Sequence, residues 1–132
     1  MRDHLNLVLR LDDDPTTIRS LWATYDDTAP DRITLTEMRE DAGEVVIAVC
    51  PRVTLSRIHR GYAEHAGLKL QASASHLGRL LVVLPDDDRL WWTDQAALGG
   101  FVDGTFDRVP SGGESEHLLR RARQVFFGEE RV

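Results

Sequence analysis

Leu5, Leu7, Leu9 and Leu11 alternate with Asn6, Val8 and Arg10. This period-two pattern, with one apolar face, predicts a first strand over 5–11. Asp14 precedes Pro15, and Ile18, Leu21, Trp22 and Tyr25 follow at helical spacing. Asp14 suits an N-cap and Pro15 a first helical residue, so a helix is predicted over 15–25. Thr-rich and β-branched residues predict a strand over 33–39, and the apolar run Val45-Val46-Ile47-Ala48-Val49 predicts another over 44–50. Leu55, Ile58, Tyr62 and Ala66 mark a helix over 54–66 that stops at Gly67. Alternation returns over 68–75, and a further strand is expected over 79–84. Residues 89–98 suit a short helix stopped by Gly99-Gly100, with an irregular segment to Pro110. Leu118, Leu119, Ala122, Val125 and Phe126 form an apolar stripe on a last helix over 115–127, with Arg120, Arg121 and Arg123 largely off it.

This order, βαββαβ and one more strand, predicts an α+β fold: a ferredoxin-like split βαβ antiparallel sheet with an added strand and a C-terminal helix. A chain of 132 residues suits a single domain over 1–132, long enough to bury roughly two thirds of its unfolded surface. The expected core is Leu7, Leu9, Leu21, Trp22, Val45, Ile47, Ile58, Tyr62, Val82 and Phe126.

A net charge of −6 argues against phosphate-backbone binding and favours a basic protein partner. No nucleic acid or membrane partner is expected, because no apolar run is long enough to span a bilayer. Asn6 and Arg10 interrupt the apolar N-terminus, which therefore does not form a signal peptide, and a cytoplasmic protein is expected. Cys50 is the one cysteine and ends an apolar run, which predicts a buried, inert thiol.

Acidic residues gather in three places: Asp12-Asp13-Asp14, Glu40-Asp41-Ala42-Gly43-Glu44 and Asp86-Asp87-Asp88. Each falls just past a predicted strand, and the split βαβ order brings all three to one edge. Gathered carboxylates could hold Mg²⁺ for phosphoryl transfer. The layout resembles that of polymerase-palm and nucleotide-cyclase domains, although Asp41-Ala42-Gly43-Glu44 lacks their paired-acid or Gly-Gly-acidic signature. The five histidines have no metal-ligand spacing, and His76 beside Ser73 and Ser75 has no third member of a hydrolytic triad. Gly99-Gly100 and Gly112-Gly113 lack the Lys and Ser or Thr of a phosphate loop. Adjacent tryptophans point in different directions, so one of Trp91 and Trp92 is expected at the surface as a partner anchor.

The preferred functional reading is a noncatalytic acidic protein-binding domain, of immunity or inhibitor type, for a basic partner. Its binding residues are Asp12, Asp13, Asp41, Glu44, Asp86, Asp87, Asp88, Trp91 and Trp92, and no cofactor is expected. The alternatives are a metal-dependent phosphodiesterase or nucleotidyl-transfer enzyme using the acidic edge, and a small-molecule-binding regulatory domain.

Overall fold

The computed structural model describes residues 2–127, with side chains to residue 124. Its strands are β1 (Arg2–Leu11), β2 (Asp14–Asp26), β3 (Arg32–Arg39), β4 (Gly43–Pro51), β5 (Tyr62–His65), β6 (Leu68–Ala72), β7 (Arg79–Leu84) and β8 (Asp87–Asp94). Its helices are α1 (Arg52–Leu55), which runs into a 3₁₀ turn (Ser56–Arg60), then α2 (Gln95–Arg108) and α3 (Glu114–Phe127). The strands form one antiparallel sheet in the order β4-β3-β2-β1-β8-β7-β6-β5, nearly closed into a barrel. Two four-stranded meanders thus join where β1 meets β8, at Arg10 opposite Trp92 and Leu11 opposite Trp91. The chain crosses from β4 to β5 through α1 and the 3₁₀ turn, which pack between them.

The split βαβ expectation is corrected at its second element. Residues 14–26 form a strand, so β1 and β2 are an antiparallel hairpin and no helical crossover exists. Leu21, Ala23 and Tyr25 point into the barrel opposite Leu7, Leu5 and Asp3, while Trp22 and Thr24 point out. Asp14 caps no helix: its carboxylate accepts the hydroxyls of Thr16 and Thr17 at 2.7 Å each, where the strand begins. The second predicted helix is shorter than expected. It ends at Gly61, whose φ of 99° any side chain would strain, and Tyr62 then begins β5. Residues 89–94 belong to β8, and α2 runs straight through Gly99 and Gly100. At Gly99 a Cβ would lie 3.0 Å from the His59 ring, which the exposed Asp103 holds at 2.8 Å.

The inward faces of both meanders, together with Leu55, Ile58, Leu98 and Val102, make one core. Leu7, Leu9, Leu21, Ile58 and Val82 are buried as expected, and Val45 and Ile47 are half-buried on the edge strand β4. Trp22 and Tyr62 are exposed, because the period-two face of their strands, not a helical stripe, decides what enters the core. Phe126 lies outside the residues whose side chains are described. Burial pushes the Cys50 thiol up to about 11, in keeping with an inert cysteine.

Candidate functional site

Because every neighbouring pair of strands is antiparallel, β1, β3 and β7 run towards the same end of the barrel. The β1–β2, β3–β4 and β7–β8 turns therefore share that end, and all three acidic stretches meet there on a different topology from the one predicted. What the sequence did not show is the arginine set among them. Arg19 points into the barrel mouth from β2, its side chain only 14% exposed. It donates from Nε and Nη2 to Glu37 at 2.9 and 2.8 Å, and from Nη1 and Nη2 to Asp86 at 3.2 Å each. Arg39 donates to Glu37 at 3.0 Å and to Asp86 at 2.7 Å, while Arg89 Nη2 reaches Asp87 at 2.9 Å. Trp91 lies fully buried beneath this layer, its ring 5.9 Å from the Arg19 guanidinium and 5.1 Å from that of Arg89. The indole Nε1 donates to Asp87 at 3.3 Å.

These bonds fix the electrostatics. Arg19 holds the Glu37 and Asp86 carboxyls below their ordinary range, and the Arg89 guanidinium brings Asp87 down to about 2. Carboxylate oxygens taken by guanidinium N–H groups are not open to a cation. Among the described residues no group of three or more His, Cys, Asp or Glu is placed to share a metal ion. Of the predicted binding residues, Asp86 and Asp87 are drawn together around Arg19. Asp12, Asp13 and Asp41 are exposed on the surrounding turns, and Glu44 and Asp88 are exposed at the adjoining ends of β4 and β8. Trp91 is core, and Trp92 is half-buried with the Arg79 guanidinium 3.9 Å from its ring centre. Ser73, Ser75 and His76 sit in an exposed turn, where Ser73 Oγ accepts from the backbone N–H groups of the other two.

A second feature lies on the outer face of β1 to β4: a groove of about 430 Å³ lined by His4, Trp22, Thr24, Thr34, Thr36 and Met38, among others. Trp22 is 43% exposed there, and the His4 ring meets it edge-on with centroids 6.2 Å apart. Helical spacing hid this residue by assigning Trp22 to the buried face. The alternation of Leu21, Ala23 and Tyr25 was the signal that could have found it.

No family model matches the chain, and no curated protein sequence matches it. Solved structures share its fold, two of them over nearly the whole chain. One was described with mutations in SsgB that correlate with longitudinal cell division during sporulation of Streptomyces coelicolor. It has a TM-score of 0.70 at 22% identity, over 89% of this chain and 95% of that one. The other is an SsgA-like sporulation-specific cell division protein from Thermobifida fusca, with a TM-score of 0.72 at 18% identity over 95% and 94% of the two chains. This likeness overturns the immunity- or inhibitor-type reading, together with its enzymatic and regulatory alternatives. The immunity reading rested on small size and acidic charge, and its alternatives on a split βαβ sheet that is absent; the fold found instead is shared with proteins of cell division.

Proposed function

We propose that the chain is an SsgA-like protein acting in sporulation-associated cell division, without catalysis, through contacts with other division proteins. The observation that carries this reading is the fold match, which extends over nearly the full length of both partners in each comparison. The barrel mouth supports a noncatalytic role, because its innermost carboxylates are committed to Arg19, Arg39 and Arg89. A single domain fits the reading, since one continuous core joins both meanders and α2. Among the described residues no helix is long and apolar enough to cross a membrane. Location at the division site would then come from binding. The exposed Asp12, Asp13, Asp41, Glu44 and Asp88 are the proposed contact residues, and a basic stretch of a division protein would complement them. Fold alone does not determine function, so the test is cellular. Deleting the gene in the organism that encodes it should misplace or misorient sporulation septa, and a fluorescent fusion should gather where septa form. Septa of normal number and orientation in the deletion strain would refute the reading.

A further inference from the structure

α3 is fastened to the barrel by charges. Of its described side chains only Glu114, His117, Arg121 and Ala122 are half-buried, and the first three lie three and four residues apart, on one face of the helix. Glu114 accepts from Arg52 Nη2 at 2.8 Å, and His117 and Arg121 approach Asp27 at 3.5 and 3.7 Å. Leu118 and Leu119 are exposed, and no strand or other helix packs extensively on α3 among the described residues. Most surface helices are held by a buried apolar face. Lifting this one away forfeits little apolar burial.

The socket that receives Glu114 does not depend on α3 for its shape. Arg52 is buried at the start of α1, where its guanidinium stacks on the Phe106 ring and donates from Nη1 to the Thr105 carbonyl at 2.7 Å. Both partners belong to α2, so the guanidinium keeps its place whether or not α3 is docked. Glu114 brings the carboxylate that neutralises it, and Arg52 meets no other acidic group at ion-pair distance among the described residues. The docked state is incomplete in one respect. Arg52 Nε is buried with no hydrogen-bond partner among the described residues, a cost that water recovers once it enters. The link from α2 to α3 supplies the hinge, since Gly112 sits at φ 84° between Ser111 and Gly113 and glycine re-forms such a turn in several ways.

We propose that α3 is a releasable strap, docked by lending Glu114 to the buried Arg52 and swinging off as one unit about residues 110–113 to uncover that guanidinium. This rests on the contacts of α3 and not on the cell-division reading. Failure of either leaves the other standing.

The test is native-state hydrogen exchange of the full chain, read at single amides. In the parent, amides 117–124 should share one protection level, at least about a hundredfold below that of the amides of Leu7, Leu9 and Leu21 in the β1–β2 hairpin. Glu114→Ala leaves Arg52 without its carboxylate and should speed exchange about thirtyfold, as much at residues 121–124 as at 117. Glu114→Gln, the milder change, should act in the same direction by less. Glu116→Ala removes a first-turn charge of the same sign from the exposed side and should act less than about fivefold. A helix that merely frays gives another pattern: exchange rises towards its C-terminal end, and the last turn ignores Glu114 because fraying leaves the Arg52 contact intact. That pattern overturns the proposal. So does protection of α3 equal to that of the hairpin, which would mean that α3 leaves only when the barrel unfolds, or no protection of 117–124 at all.

Discussion

Three tryptophans lie in comparable apolar stretches, and the structure assigns them different work. Trp91 is fully buried, with two guanidinium groups beside its ring and its indole N–H on Asp87. Trp92 points the other way and carries Arg79. Trp22 lines the outer groove. Removing a buried aromatic loses its transfer free energy and leaves a cavity. Trp91→Ala should therefore cost about 3 to 5 kcal/mol in urea unfolding, and Trp22→Ala less than about 1 kcal/mol. Equal losses would mean that the inward and outward faces had been exchanged. Arg52 makes the same point for a charge. It is 1% exposed, stacks 4.1 Å from the Phe106 ring centre, and donates to the Thr105 carbonyl at 2.7 Å as well as to Glu114. Composition does not distinguish such an arginine from its solvated neighbours Arg57 and Arg60.

At the scale of elements, α2 supplies a direct test. Asp94 closes β8 and caps α2, its Oδ1 accepting from the N–H groups of Ala96 at 2.9 Å and Ala97 at 3.4 Å. Asp94→Ala should cost about 1 kcal/mol, read as a lower urea midpoint at unchanged slope, and Asp94→Ser should restore most of it. The strands that alternate cleanly were readable from the sequence. The predicted 5–11, 33–39, 44–50 and 79–84 fall within or upon β1, β3, β4 and β7, because each has one apolar face and a turn at its end. β2 was not readable, since Ile18, Leu21, Trp22 and Tyr25 satisfy a helical template while Leu21, Ala23 and Tyr25 satisfy a strand, and Asp14-Pro15 opens either. Pairing with β1 and β3 decided it, and pairing is not a local property. α2 escaped for the opposite reason: Gly99 and Gly100 read as a stop, yet the helix runs through both and the His59 ring lies against Gly99. Convergence of the acidic turns followed from strand direction alone, whereas their neutralisation depended on Arg19 facing inward, which a helical 15–25 concealed.

Across the whole molecule, the two ends of the barrel are closed by different means. One end is covered by α1, the 3₁₀ turn and α2, which contribute Leu55, Ile58, Leu98 and Val102 to the core. The other is roofed by Arg19, Glu37, Asp86, Asp87 and Arg39 over Trp91, so its stability depends on ionisation. Glu37, Asp86 and Asp87 all have carboxyls held below their ordinary values by Arg19 or Arg89. A depressed folded value makes a contribution that is fully present above the unfolded value of about 4 and disappears as pH falls through the folded one. For Asp87 the folded value is about 2. The melting temperature should therefore fall steadily from about pH 5 towards pH 2 as these carboxylates take up protons. Arg19→Met keeps much of the stem over Trp91 but removes the shared donor. It should lower stability at neutral pH by roughly 2 to 3 kcal/mol and flatten that acid decline, because Glu37 and Asp86 then titrate closer to their unfolded values. Circular-dichroism melts of parent and variant across this range test the idea. The curves should converge towards the acid limit, and a constant separation from neutral pH down to about pH 2 would show that the arginine roof is not what closes this end of the barrel.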